Sequence, residues 1–255
     1  MTNEEILKIA LQQSAYDFGC SPEDFLCNEN KIFISTKNDK ARAYLSLPLE
    51  FDIVSYGSNV VAQVSEQTRE ITQWYINKYE PCRCFETPNI LALNEKLMQF
   101  GQKVCFMAEY FLPDVEKLSA LSCLYETRLL FPCDFEGFYS EQWSNALCEK
   151  RKHLDKIAVG AYDGEKLVGL AGASADCENM YQIGIDVLPE YRRQNIACTL
   201  TSRLAIEILK LGKVPFYCAA WSNIKSVRNA IKCGFRPAWV QITAKPVEFA
   251  DEMIK

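Results

Sequence analysis

The sequence predicts an α/β fold, and three observations carry that expectation. Apolar runs of strand length alternate with segments in which apolar residues recur every three or four positions. The dipeptide Asp163-Gly164 sits between two apolar runs, the strongest short-range signal for a hairpin. A strand ending at Pro189 passes through a basic loop straight into a helix, and a second strand and helix follow.

Taken in order, residues 4–18 read as a helix: Ile6, Ile9, Ala10, Gln13 and Asp17 distribute over its faces and Gly19 is its C-terminal stop. Ser21-Pro22-Glu23-Asp24 reads as the start of a short helix, with Ser at the cap and Pro at the first position. Residues 31–35 and 41–47 read as a strand pair across the turn Lys37-Asn38-Asp39. Val60 to Val64 is a short strand. A helix follows over 66–79, with Ile71, Trp74, Tyr75 and Tyr79 at helical spacing. Leu91 to Phe100 reads as helix and Val104 to Phe111 as a buried strand.

Pro113-Asp114 marks a break, and the expected division places an N-terminal α/β domain of unassigned role at 1–120 and a second domain at 122–255. In the second, Tyr125 to Leu130 is a strand and Asp134 to Lys152 one or two helices. Ile157–Tyr162 and Lys166–Ala173 are the hairpin strands, and Tyr181 to Leu188 is a strand. Ile196, Leu200, Leu204 and Ile208 fall every four residues on one helix face, which Gly212 ends. Phe216 to Ala220 is a continuous apolar strand of the kind found inside sheets. Ser222 is the expected cap of a helix in which Ile224, Val227 and Ile231 face inward. Gly234 closes it, and Ala238 to Thr243 is the last strand.

Composition bounds the function. With 255 residues, 49% hydrophobic and 24% charged, the chain can bury a real core, so disorder is excluded. A net charge of −5 offers no broad attraction for phosphate backbones or anionic membranes. Nucleic acid and membrane surfaces are therefore not expected partners. The start, Met1-Thr2-Asn3-Glu4-Glu5, lacks the basic and apolar regions of a secretion signal. No run approaches the roughly 18 apolar residues of a membrane span. The expected location is cytoplasmic, where the twelve cysteines stay reduced. Several, Cys105 and Cys218 among them, lie inside apolar runs, as small buried hydrophobes do. Cys82-x-Cys84 lacks a second ligand pair, and the single histidine, His153, is distant, so no metal site is expected.

The chemistry-bearing segment is Val187-Leu188-Pro189-Glu190-Tyr191-Arg192-Arg193-Gln194-Asn195-Ile196-Ala197. The first amides of a helix have no internal partner, and the helix dipole adds partial positive charge there. Beside two arginines, such a turn suits a pyrophosphate, although a plain strand-to-helix loop with solvated arginines has the same local pattern. The segment resembles the GNAT acetyltransferases, whose Gln/Arg-x-x-Gly-x-Gly/Ala pattern follows a strand and a Val-x-Pro-x-Tyr. The match holds at Val187, Pro189, Tyr191, Arg192 and Ala197 and departs at Asn195, where the family has Gly. Asn is the next best residue for a left-handed backbone. The family's second signature, Asn-x-x-Ser, then a helix, then Gly-Phe, is present as Asn223, Ser226 and Gly234-Phe235.

The resemblance implies a GNAT acyl-CoA N-acyltransferase fold over the last half of the chain, preceded by an α/β extension that could be a degenerate copy of the same fold. It implies acetyl-CoA as co-substrate and a small-molecule or protein amine as acceptor, with the oligomeric state, homodimer included, left open. Ile185 and Val187 would offer backbone to the pantetheine arm, and the Val187 amide would face the thioester carbonyl. Arg192, Arg193, Gln194, Asn195, Ile196 and Ala197 would hold the pyrophosphate, and Asn223 and Ser226 would hold the arm. Asp186 is the first candidate for the base or for the group that binds the cationic amine; Glu178, Tyr181 and Gln182 are alternatives. The Tyr that commonly protonates the leaving thiolate is replaced by Ala230, which leaves Cys218, Tyr217 or solvent. An acyl-Cys intermediate at Cys218 is disfavoured for want of a nearby His. Trp221, Trp239 and Tyr181 could line an acceptor pocket. Two rivals remain: a GNAT-fold module that binds acetyl-CoA without turnover, and an α/β enzyme for another phosphate ligand. The chain lacks the glycine and lysine motifs of nucleotide sites, which argues against the second.

Overall fold

The computed structural model describes residues 1–253. Its strands are β1 (Lys31–Ile34), β2 (Phe51–Ser55), β3 (Val61–Val64), β4 (Gln102–Pro113), β5 (Glu126–Leu130), β6 (Asp155–Asp163), β7 (Lys166–Ser174), β8 (Met180–Val187), β9 (Val214–Ala220) and β10 (Phe235–Pro246). Its helices are α1 (Asn3–Phe18), α2 (Arg69–Lys78), α3 (Thr87–Leu97), α4 (Ile196–Lys210), α5 (Ile224–Lys232) and α6 (Val247–Glu252). The chain divides into two compact units, both discontinuous. One holds Met1–Ala10 and Phe111–Pro237; the other holds Leu11–Tyr110 and the residues from Ala238 onward. A single cut near residue 121 does not describe this, because the long strands β4 and β10 each run through the division.

In the first unit β5, β6, β7 and β8 are antiparallel neighbours in that order, and β9 joins β8 in parallel. Gly164 turns the β6–β7 hairpin at φ +59°, a left-handed value that glycine adopts without cost. Helix α4 buries Ile196, Leu200, Leu204 and Ile208 in a core with Val159, Val168, Ala171 and Ile183. Each such side chain contributes roughly 1.5–3 kcal/mol by leaving water. The helix lies so close to β7 that a Cβ at Gly169 would stand 2.6 Å from Ile196 Cγ2. The segment 143–147 lies against β7 and β8: a Cβ at Gly184 would stand 1.7 Å from the Asn145 carbonyl oxygen.

In the second unit the order is β1-β3-β2-β10-β4. Phe51, Ile53, Ala62, Val64 and Ile242 face one way, into a core with Tyr75, Ile76, Leu93 and Leu97 from α2 and α3. Asp52, Gln63, Gln241 and Thr243 alternate with them and form a buried polar layer. The two units do not share a strand order, which removes the expectation that the extension is a degenerate copy of the GNAT fold.

Several elements differ from expectation. Residues 41–47 are not a strand: β1 pairs in parallel with β3, Lys31 opposite Val61. The Arg42 amide and guanidinium both bond to Asp17 of α1, which pins that segment to the helix instead. Residues 134–152 do not form α-helix. The stretch breaks into short 3-10 turns at Pro132–Asp134, Glu136–Phe138, Glu141–Trp143 and Glu149–Leu154. Its buried residues Phe135, Trp143, Ala146 and Leu147 fall at helix-like spacing, yet the amides of Asn145 and Ala146 bond to Asp186 rather than to the preceding turn. Strand β4 is only partly buried, with Phe106 exposed. Asn223, not Ser222, caps α5. Ile224 and Ile231 are 51% and 55% exposed, whereas Asn229 and Ala230 face the core.

Candidate functional site

Strand β8 pairs with β7 along its length, from Gln182 opposite Ser174 to Val187 opposite Gly169. Its pairing with β9 is shorter. It runs from Met180 opposite Val214 to Ile183 opposite Tyr217 and stops, although β8 continues to Val187 and β9 to Ala220. The two parallel strands therefore part beyond Ile183. A gap between parallel strands exposes backbone N–H and C=O groups that an extended ligand can pair with as an added strand.

The turn after β8 lies beside this gap. Pro189–Tyr191 forms a single 3-10 turn, with the Tyr191 amide bonded to the Leu188 carbonyl. Arg193 and Asn195 then both take φ +65°, and α4 begins at Ile196. Asn195 makes no side-chain cap, so the first amides of α4 are left for a ligand. The Asn195 side chain is engaged elsewhere: its Nδ2 donates to the Ser122 carbonyl at 2.7 Å, and its Oδ1 accepts from Lys232 Nζ at 2.7 Å. At the position where the GNAT pattern has glycine stands a residue that tolerates the left-handed backbone and whose side chain is tied to Ser122 and Lys232. Tyr191 anchors the turn by donating to Asp163 at 2.9 Å, and Tyr125 donates to Gln194 Oε1 at 2.5 Å.

Gap and turn open into one cleft of about 810 Å³. Of the sequence-proposed residues, Ile185, Asp186, Val187, Arg192, Arg193, Asn195, Ile196, Ala197, Asn223 and Ser226 line it. Gln194, Tyr181 and Cys218 are not among the lining residues. Tyr181 packs against the core, and Cys218 Sγ accepts from Gln182 Nε2 at 3.1 Å. Trp239 is buried in the second unit, stacked on Tyr110 at 4.8 Å, and so is core rather than acceptor pocket.

The Asp186 carboxylate accepts three hydrogen bonds: Asn145 N at 2.9 Å, Asn145 Nδ2 at 2.6 Å and Ala146 N at 3.0 Å. It thereby holds the segment that covers Gly184. On the α5 side, Asn223 accepts the Ser226 amide at 3.2 Å, and the hydroxyls of Ser226 and Tyr217 are 2.8 Å apart. Burial pushes the Tyr217 phenol up, so it stays protonated at neutral pH and can give a proton but not take one.

Sequence reasoning missed part of the site. Lys225, Arg228 and Lys232 line the cleft from α5, joining Arg192 and Arg193. Their i, i+3, i+7 spacing was a readable signal of one face. Among the described residues none of these five cations makes an ion pair. Asn145 arrives from an irregular segment and had no sequence signal. Among the described residues no group of three or more His, Cys, Asp or Glu side chains could hold a metal ion, and no helix is long and apolar enough to cross a membrane.

A family model described as GNAT acetyltransferase matches residues 117–238. Similar solved structures include a GNAT-family protein from Novosphingobium aromaticivorans, 19% identical over 56% of this chain and 66% of that chain, with TM-score 0.41. A GCN5-related N-acetyltransferase-like protein from Streptococcus suis is 19% identical over 61% of this chain and 66% of that one, with TM-score 0.45. A Salmonella typhimurium protein solved with its cofactor acetyl-CoA is 14% identical over 48% of this chain and 93% of that one, with TM-score 0.35. The chain spans just under two thirds of the first two structures. No curated protein matches it.

Proposed function

We propose that the chain, whose residues 117–238 match a family model described as GNAT acetyltransferase, transfers an acetyl group from acetyl-CoA to a primary amine of a small molecule or protein by direct attack. The observation that supports this reading is the parting of β8 and β9 after Ile183 and Tyr217 beside a cationic turn at the start of α4. A pantetheine arm is a chain of amides and fits a gap between parallel strands; a diphosphate fits the turn.

In this reading the backbone of Ile185 and Val187 pairs with the arm, and the Val187 amide donates to the carbonyl oxygen as it becomes an oxyanion. The amides from Arg193 to Ala197, with the cations of α5, hold the phosphates. Asp186 receives the amine. Its orientation is fixed by three hydrogen bonds, and a carboxylate has lone pairs beyond those three for an ammonium. The amine loses its proton and attacks the thioester carbon; the tetrahedral intermediate collapses with loss of the coenzyme A thiolate. Tyr217 supplies the proton to that thiolate. It lines the cleft, stays protonated, and can take the place left by Ala230, which is buried.

Calorimetry with acetyl-CoA, followed by coenzyme A release across a panel of amines, tests the proposal. Micromolar binding with turnover on at least one amine is expected. Stabilisation by ATP or NAD but not by acetyl-CoA would overturn it. A second reading, an acetyl-CoA-binding module without turnover, is favoured by the apolar Ala230 and is the outcome if binding occurs and no amine is acetylated.

A further inference from the structure

Two of the twelve cysteines meet at the junction of α4 and α5. Cys198 lies in the first turn of α4 and lines the cleft. Cys233 ends α5, is 2% exposed, and donates its thiol to the Cys198 carbonyl at 3.3 Å. Interaction with the nearby Cys233 thiol first, and the Lys232 ammonium second, bring Cys198 down to about 7, while Cys233 is pushed up by the same interaction and by burial. Cys198 therefore has what a reactive thiol needs: a helix N-terminus, a neighbouring cation and access from the cleft. Cys233 is placed as its resolving partner beneath it. The adjoining residue Lys232 holds Asn195 Oδ1, so the same corner fixes the left-handed turn of the anion cradle.

We propose that Cys198 and Cys233 form a thiol pair that a low-molecular-weight disulfide such as glutathione disulfide converts to an intramolecular disulfide, and that this closes the cleft to its phosphate-bearing ligand. The Cys198 thiolate attacks one sulfur of glutathione disulfide. Its S–S bond breaks, a mixed disulfide forms on Cys198, and the first glutathione leaves as a thiolate that water protonates. Cys233 then loses its proton to solvent and attacks the Cys198 sulfur, expelling the second glutathione. The protein loses two protons and two electrons, and one glutathione disulfide becomes two glutathiones. Closure draws the two sulfurs to about 2.05 Å and ends the bond from the Cys233 thiol to the Cys198 carbonyl, so the first turn of α4 or the end of α5 must shift. Either shift moves the free amides of α4 or the Lys232–Asn195 contact that supports them. By the same geometry an occupied cleft covers Cys198 and slows its oxidation.

The cleft's ligand here rests on the acetyl-CoA reading above; the disulfide does not. The test treats the full reduced chain with glutathione disulfide and reads intact mass, a non-reducing peptide map and acetyl-CoA affinity; acetyl-CoA carries no free thiol. The wild type should lose two mass units, yield a Cys198–Cys233 peptide pair, and bind acetyl-CoA about tenfold or more weakly, with recovery in dithiothreitol. Cys233→Ser should stop at the mixed disulfide and retain one glutathione on Cys198; Cys233→Ala serves if the serine does not fold. Prior addition of acetyl-CoA should slow the wild-type reaction. A map pairing other cysteines, a Cys198 that stays reduced, or an oxidised protein with unchanged acetyl-CoA affinity overturns the proposal. If the reduced protein binds no acetyl-CoA while the disulfide still forms, the functional reading fails and the thiol chemistry stands.

Discussion

Asn195 shows how much a single backbone angle decides. At φ +65° most side chains are strained by about 1–2 kcal/mol, glycine not at all and asparagine little. Asn195→Gly keeps the backbone and loses the links to Ser122 and Lys232; acetyl-CoA affinity should stay within about threefold, because the phosphate ligands proposed here are main-chain amides. Asn195→Ala keeps neither the links nor the easy angle, and affinity should fall about tenfold by calorimetry. Equal losses in the two variants would show that the side chain, not the turn, matters. The residues proposed to be catalytic separate in the same way. Asp186→Asn should lower kcat by about tenfold or more with acetyl-CoA affinity unchanged, and Tyr217→Phe should do likewise by removing the proton donor. Unchanged turnover across neutral pH would remove either residue from the mechanism.

At the scale of elements, α5 is the part whose role the sequence concealed. Its apolar residues Ile224 and Ile231 suggest an inward face, yet the helix turns Asn229 and Ala230 to the core and leaves Lys225, Arg228 and Lys232 to the cleft. In the proposed reading, neutralising one of these charges removes one phosphate contact. Arg228→Gln should weaken acetyl-CoA binding several-fold and flatten its dependence on salt, measured by repeating the titration from low to moderate ionic strength. A salt dependence identical to that of the wild type would mean that Arg228 faces no phosphate. The turn proposed to hold the phosphates, by contrast, was legible as backbone because it is contiguous in sequence: Val187 to Ala197 carries strand, turn and helix start together. The hairpin and α4 were legible for the same local reason. Strand β2 was not, because a buried Asp52 interrupts its apolar run. Residues 132–154 misled because their buried residues fall at helix-like spacing, packing into the core of the first unit, while Asp186 takes the amides of Asn145 and Ala146, which a periodicity cannot report.

Across the whole chain, stability should carry the signature of one buried acid in the second unit. Asp52 is fully buried and accepts hydrogen bonds from Gln241 at 2.8 Å, Thr243 at 3.0 Å and Gln63 at 3.2 Å. Burial outweighs these donors and raises its carboxyl to about 7, from an ordinary value of 3.8. The folded state therefore holds this proton more tightly than the unfolded chain. The stabilisation is complete below about pH 4, declines as pH rises, and is gone once pH passes about 7. Asp52→Asn keeps a neutral hydrogen-bonding side chain and has nothing to ionise. Denaturant unfolding of both proteins from pH 4 to 8 should show the wild type losing ground to the variant as pH rises, by on the order of a few kcal/mol, with no further change above the folded value. A difference that stays flat across this range would mean that Asp52 is already ionised at pH 4 and that its three donors, not its burial, set its charge. The strand pattern could not have revealed this group: the polar layer joins β2, β3 and β10, so Asp52 and Thr243 meet only when the first and last thirds of the sequence fold into one sheet.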